Sequence, residues 1–137
     1  MKLPEEVAEY LDTFERNGFK AYVVGGAVRD MLRGIAPFDY DVTTNAKVSD
    51  VKNIFKDHHI YDTGIKHGTV SVHFGGYVFE TTTFRVDGDY KDNRHPENVI
   101  FTDDLIEDLS RRDFTVNAMA LDKECKLVDP FGGEGDI

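Results

Sequence analysis

Two acidic residues that flank a tyrosine are the first candidates for chemistry in this 137-residue sequence. Asp39 and Asp41 lie two positions apart in a predicted strand, so both carboxylates project from one face. Mg²⁺ suits such a pair, because it takes oxygen ligands and is usually held by one or two carboxylates plus substrate phosphates. Two ions could activate a hydroxyl and stabilise a leaving pyrophosphate. Residues 87–89 repeat the spacing around a glycine, where solvated turn acids are the simpler interpretation.

A diglycine upstream of the two acids strengthens the metal interpretation. Gly25 and Gly26 join a predicted strand to a predicted helix. The pair could be an ordinary tight turn, or its backbone could approach a phosphate that the free N–H groups of the helix face. Arg29, about one helical turn onward, could meet a triphosphate or a ribose. Its alternative is an ion pair with Asp30 or another acid.

Glu80 is a third candidate acid, and its role stays open at this point. It lies inside a predicted strand on the same face as apolar residues, where an unpaired buried acid would be costly. Glu80 could face Asp39 and Asp41 across neighbouring strands as a third carboxylate. Alternatively, its face of the sheet is open to solvent, or it pairs with Arg85 or Lys66.

Two adjacent arginines follow a predicted acidic helix. Arg111 and Arg112 could simply complement the dipole at the helix C-terminus. One of them could instead contact a phosphate while Asp113 caps the next helix. His67, before a predicted strand, could contact a nucleotide, although a lone histidine is more often an ordinary loop or core residue.

Apolar periodicity and glycine positions predict one mixed α+β domain that positions these residues. The first helix is predicted to begin at Glu5 and to stop at Gly18. Further helices are predicted over residues 27–33, 47–55 and 103–110, and strands over residues 19–24, 38–43, 68–74 and 77–85. A hairpin turn is predicted at Gly75-Gly76. We also expect a mobile loop over residues 86–98, a short helix or turn over residues 114–120, and a last strand over residues 126–128.

Composition and charge narrow the class of protein. The sequence is 40% hydrophobic and 31% charged, which is typical of a soluble globular chain. It has no apolar run of about 18 residues and no signal-peptide pattern, so we expect no membrane contact. The single Cys125, interpreted as a semi-exposed thiol, fits a reducing cytoplasm. A net charge of −10 argues against gripping a nucleic-acid backbone over a wide surface.

Four blocks, in family order, resemble the head domain of class II tRNA nucleotidyltransferases. These are the CCA-adding enzymes and their bacterial poly(A) polymerase relatives, within the DNA polymerase β superfamily. The blocks are residues 25–30, 39–41, 80–85 and 111–118. The resemblance implies the nucleotidyltransferase fold, a mixed twisted sheet flanked by helices. It also implies that residues 87–98 form a flexible loop that helps to switch between nucleotides.

The resemblance assigns roles to the candidate residues. It implies Asp39 and Asp41 as Mg²⁺ ligands and Glu80 as a third catalytic carboxylate. Contacts to the incoming ATP or CTP are implied for Arg29 and Arg112 and for the diglycine, that is, for Gly25 and Gly26.

The implied function is the addition of CMP and AMP, from CTP and ATP, to the 3′ end of tRNA. Poly(A) addition, or a split C-adding or A-adding enzyme, is the alternative within the family. A non-catalytic nucleotide-binding module is the alternative outside it, although the intact carboxylates count against that. In the family, neck, body and tail domains select the base and hold the tRNA. Residues 1–137 are therefore expected to be the head domain alone, with weak nucleotide binding and little tRNA extension.

Overall fold

The computed structural model describes residues 2–37, 39–64, 68–86, 100–112 and 118–136. The helices are α1 (Glu5–Arg16), α2 (Gly26–Leu32), α3 (Val48–Ile54) and α4 (Leu105–Ser110), with a short 3₁₀ helix at Gly133–Asp136. The strands are β1 (Ala21–Val24), β2 (Asp39–Thr44), β3 (Ile60–Gly64), β4 (Thr69–Phe74), β5 (Tyr77–Thr83), β6 (Arg85–Val86), β7 (Ile100–Phe101), β8 (Ala120–Leu121) and β9 (Leu127–Val128).

Seven of these strands form one mixed sheet in the order β3-β4-β5-β2-β1-β8-β9. Within the described strands, β2 and β5 pair in parallel, and the other neighbours pair antiparallel. Strands β6 and β7 form a separate two-stranded ribbon. The predicted fold class, α+β with a mixed sheet and flanking helices, is confirmed.

One face of the sheet, here called the core face, is closed mainly by α1. Tyr10 of α1 stacks on Phe79 of β5 with ring centroids 3.9 Å apart. The Tyr10 hydroxyl shares a 2.7 Å hydrogen bond with the Thr81 hydroxyl. Phe55, at the end of α3, stacks on the same tyrosine at 4.8 Å. Burying this aromatic cluster supplies much of the hydrophobic stabilisation of the fold.

The opposite face, here called the site face, differs between its two halves. Toward β1 and β8 it is apolar, and Leu109 of α4 packs there with Val24, Ala118 and Ala120. Toward β2 and β5 it is polar, because alternate residues of β2 point away from the core. Asp39 and Asp41 are therefore exposed, while the residues between and after them are buried.

Most predicted elements are present with shifted ends, and one prediction needs correction. The first helix ends before Gly18, which has a φ of +86°. The expected helix or turn over residues 114–120 is wrong at its end, since Ala120 begins a strand that pairs with Val24. Strand β3 was not predicted. Residues 87–98 of the expected loop, together with Phe38, Lys66, His67 and Asp113, lie outside the described residues.

Within the described ranges, no helix combines the length and the apolar character that crossing a bilayer requires.

Candidate functional site

The central parallel strand pair brings two of the predicted acids side by side. Asp41 of β2 lies in register with Glu80 of β5, and Asp39 lies two residues before it on the same face. Across the next strand pair, Ser71 of β4 lies opposite Glu80, and its hydroxyl donates a hydrogen bond to Glu80 Oε1. Glu80 is thus half-buried beside Asp41, with a polar neighbour. The sequence reasoning missed Ser71, although its alternation with two buried valines could have placed it on this face.

The diglycine bend lies directly against one of the acids. Val24, the last residue of β1, pairs with Asp41, so Gly25 follows at the same level of the sheet. Gly25 has a φ of +73° and a ψ of −144°, a conformation that is open to glycine and costly for other residues. An ideal Cβ on Gly25 would lie 3.3 Å from Asp41 Oδ2. The backbone and the carboxylate therefore share one small space.

Arg29 lies over the same bend. Its Nη2 atom is 3.4 Å from the position that a Cβ on Gly26 would take. The ion pair with Asp30, which was the alternative interpretation, is present but long, at 3.6 Å between Nε and Oδ1. Among the described residues, Nε of Arg29 has no hydrogen-bond partner. The ion pair thus leaves donor capacity on a guanidinium that borders the bend.

The electrostatics of Asp41 favour a cation at this place. The pKa of Asp41 is raised, first because the surrounding protein desolvates its carboxylate and then because Glu80 is close. Asp39 raises the pKa further, whereas the positive charge of Arg112 lowers it. Although Asp41 as a whole is exposed, the ionised form of its carboxyl group is disfavoured by this desolvation and by the neighbouring acids. A bound cation would offset that cost.

Arg112 reaches the site from the end of α4, where it belongs to a buried charged group. Asp108 of α4 is 0% exposed. Its Oδ2 accepts a hydrogen bond of 3.3 Å from Arg112 Nη2, and Arg111 Nε lies 3.5 Å from its Oδ1. The backbone N–H of Arg85 also donates to Oδ1, at 2.9 Å. Desolvation lowers the pKa of Arg112, and the neighbouring Asp108 acts against that shift.

Sequence reasoning gave no role to Asp108. An acid on an acidic helix is usually solvated, and the available signal was its spacing of three and four residues before two arginines. For Arg111 and Arg112, reasoning from the residues weighed a helix-dipole role against a phosphate contact. The structure places both against a buried carboxylate, close enough for Arg112 to influence Asp41, and the phosphate contact stays a prediction.

The donor set fits magnesium better than a metal that needs a closed protein cage. Among the described residues, no group of three or more histidine, cysteine, aspartate or glutamate side chains is placed to hold a metal ion. Glu80 therefore adjoins Asp39 and Asp41 without completing a three-ligand cluster. Two carboxylates on an open face suit Mg²⁺, which keeps waters and takes phosphate oxygens as further ligands. A structural zinc site would instead require four protein ligands.

Comparison with known proteins places the chain in a family. A family model described as the poly A polymerase head domain matches residues 21–137. The chain belongs to this family. The resemblance inferred from the four sequence blocks is therefore confirmed.

Curated relatives extend the likeness to the whole chain. CCA-adding enzymes of Geobacillus kaustophilus and Lactobacillus helveticus are 49% and 47% identical over 100% and 99% of this chain. In both cases the match covers 34% of the relative. The chain thus spans about a third of the length of the curated relatives it matches.

Solved structures share the fold. The Bacillus stearothermophilus CCA-adding enzyme in complex with CTP superposes with a TM-score of 0.85 at 43% identity, over 98% of this chain and 32% of that chain. A tRNA nucleotidyltransferase complexed with a primer tRNA and an incoming ATP analog superposes with a TM-score of 0.68 at 29% identity, over 95% of this chain and 36% of that chain. The predicted nucleotidyltransferase fold of this head domain is confirmed.

Proposed function

We propose that this chain is the catalytic head domain of a Mg²⁺-dependent nucleotidyltransferase that adds CMP and AMP, from CTP and ATP, to the 3′ end of tRNA. The observation that carries the proposal is the closeness of the Asp41 carboxylate to the bend, since a Cβ on Gly25 would lie 3.3 Å from Asp41 Oδ2. It puts a candidate metal ligand beside a backbone that a phosphate can approach. Relatives named as CCA-adding enzymes, one of them solved with CTP, support the substrate class.

The acids of the site face hold the metal in this proposal. Asp39 and Asp41 project from the same side of β2 and bind Mg²⁺ through carboxylate oxygens. Glu80 adds negative charge beside Asp41, which strengthens the attraction for a divalent cation. When bound, the ion neutralises phosphate oxygens and lowers the pKa of an attacking hydroxyl.

The bend and two arginines bind the nucleotide. Gly25 and Gly26 carry no Cβ, so triphosphate oxygens can approach the backbone at the start of α2. Arg29 lies in α2 and Arg112 follows α4, and both offset the triphosphate charge. In the reaction, the tRNA 3′ oxygen attacks the α-phosphate, forming a new P–O bond as the bond to pyrophosphate breaks. Positioning and charge stabilisation supply the acceleration.

The primer tRNA is held mainly outside this chain. The net charge of −10 leaves little basic surface for a nucleic-acid backbone. The chain also corresponds to about a third of the length of its curated relatives.

To assay transfer, we therefore join the chain to the remaining two thirds of the Geobacillus kaustophilus relative. Feeding CTP alone, ATP alone or both, with a truncated tRNA, separates CCA addition from poly(A), C-only or A-only addition.

The decisive variants remove one acid at a time. In the joined protein, Asp39→Asn and Asp41→Asn should each lower the transfer rate by about a thousandfold or more, because charge stabilisation at the phosphate is lost. Asp57→Asn, at an exposed acid in the turn after α3, is the matched control and should retain activity. Thermal unfolding checks that the variants fold. Transfer by Asp41→Asn at the unaltered rate would refute the metal assignment.

A further inference from the structure

Asp108 is a buried charge to which the proposed reaction gives no role. Its side chain is 0% exposed, whereas Arg111 and Arg112 beside it keep 16% and 17% of their side-chain surface. A buried carboxylate is tolerated when it is paired and hydrogen-bonded. All three partners of Asp108 described above lie at the C-terminal end of α4 or in β6. The residue therefore joins the end of a helix to the start of a strand.

The group is not neutral. Two guanidinium groups face one carboxylate, so one positive charge remains uncompensated within the Asp108 group. In the described part of the chain, the Nε atoms of Arg111 and Arg112 are buried without a hydrogen-bond partner. The excess positive charge thus lies close enough to Asp41 for Arg112 to lower the pKa of that carboxyl. An anion that enters the site would offset this charge.

We propose that Asp108 is a positioning residue that holds Arg112, assisted by Arg111, in the direction of the incoming nucleotide's phosphates. The inference rests on the proposed function. Arg112 follows a helix of only six residues, so the backbone alone restrains its long side chain weakly. The hydrogen bond from Nη2 to Asp108 fixes one edge of the planar guanidinium. The rest of the fork then points in a set direction and is preorganised for phosphate.

The competing interpretation is that Asp108 only stabilises the fold. A purely structural acid would contribute to the free energy of unfolding. Its replacement would then weaken nucleotide binding whether or not Arg112 is present. A positioning acid acts through Arg112, so its replacement has no further effect once Arg112 is gone. A double-mutant cycle on nucleotide affinity separates the two cases.

The test measures the Kd of Mg·CTP for the chain and for the Asp108→Asn, Arg112→Met and doubly substituted variants. Asn keeps the shape and an acceptor for the Arg85 N–H but loses the charge. A hydrogen bond to a charged group has a strength that corresponds to about a tenfold to hundredfold change in affinity. We expect Asp108→Asn to raise the Kd by about tenfold. The double variant should match Arg112→Met within about twofold.

Leu109→Ala is the matched control. Leu109 is the next residue of α4 and is equally buried, and its side chain belongs to the apolar cluster with Val24. Its replacement lowers stability, and any effect on the Kd should combine with Arg112→Met as a simple product. If Asp108→Asn fails to fold, Asp108→Glu keeps the charge with one extra methylene. It should raise the Kd by a smaller factor that also vanishes when Arg112 is absent.

A second experiment measures the accessibility of the arginine side chains and requires no nucleotide. Phenylglyoxal labels accessible guanidinium groups, and mass spectrometry locates the label. In Asp108→Asn we expect faster labelling of Arg112, with unchanged labelling of the exposed Arg33. Unchanged labelling of Arg112, or a double variant whose Kd reflects the product of both single losses, would overturn the inference. If the unaltered chain does not bind Mg·CTP, the proposed function fails, and the labelling still decides whether Asp108 holds Arg112.

Discussion

At the scale of single residues, Gly25 links the backbone of the fold to the chemistry of the site. Its φ of +73° is strained for any residue with a side chain, and a Cβ would press on Asp41 Oδ2. We expect Gly25→Ala to lower the free energy of unfolding by about 1–3 kcal/mol and to abolish detectable Mg·CTP binding. Thermal unfolding and calorimetric titration measure the two effects.

Gly18→Ala is the control for backbone strain. Gly18 also has a positive φ, +86°, yet a Cβ there would meet nothing within 4 Å. Its replacement should cost about 1 kcal/mol and leave nucleotide affinity unchanged. Equal loss of binding in both variants would show that the bend affects the site only through global stability.

The raised pKa of Asp41 makes the stability of the chain depend on pH. Because the folded state binds this proton more tightly than the unfolded state, stability falls as pH rises from the ordinary carboxyl value of 3.8 through the folded pKa. Asp41→Asn removes this loss. The variant should have a Tm at least equal to that of the unaltered chain at pH 7, and the advantage should disappear near pH 3.5.

The effect of Mg²⁺ on the Tm tests the same electrostatic account. Above the folded pKa, Mg²⁺ should raise the Tm of the unaltered chain, because it binds the folded carboxylates, and should not raise the Tm of Asp41→Asn. A Tm of Asp41→Asn well below that of the unaltered chain at pH 7 would contradict the electrostatic account.

The sequence singled out residues that stand out by type and spacing, and missed residues whose surroundings depend on packing. Asp39 and Asp41 were predicted because a strand fixes which face they share. Ser71 and Asp108 were not, because alternation with valines and a spacing of three or four residues before arginines also occur at ordinary solvated positions. Their partners Glu80 and Arg85 lie on other strands, so the three-dimensional structure is needed to show these hydrogen bonds.

At the scale of elements, the β4–β5 turn packs closely against helix α1. Gly75 and Gly76 both have positive φ, as a type I′ turn requires. A Cβ on Gly75 would lie 2.8 Å from Glu6 Cβ of α1, whereas one on Gly76 would meet nothing within 4 Å. Gly75→Ala should therefore lower the free energy of unfolding more than Gly76→Ala does, by about 1 kcal/mol or more. Chemical denaturation of the matched pair measures the difference.

Elements with local signals were predictable, and elements formed by long-range pairing were not. Helix α1 has apolar residues at helical spacing and a glycine stop, so its range was nearly correct. Strand β3 has little alternation and forms because β4 offers it an edge. Strand β8 contains two residues, and its identity comes from pairing with β1 and β9. Two residues offer no alternation to recognise in β8, although the equally short β9 lies within the strand predicted over residues 126–128.

At the scale of the whole molecule, one face of the sheet carries the hydrophobic core and the other carries the candidate site. The core face is packed with aromatic rings, while the polar half of the site face carries exposed acids. With a net charge of −10, the chain alone should bind Mg·CTP and Mg·ATP weakly and with similar affinity, and should extend tRNA little. Calorimetry and a primer-extension gel check this. Efficient, ordered C-C-A addition by these 137 residues would prove it wrong.

The parallel pairing of β2 with β5 also has a kinetic consequence. These strands are joined through α3, β3 and β4, so they meet only after a long stretch of chain has been ordered. Contacts between remote segments form slowly, because loop closure has to be achieved before they contribute stability. Asp41 and Glu80 should therefore become neighbours late in refolding. A nascent polypeptide on the ribosome would complete the acidic charge of the proposed magnesium site only after β5 had emerged.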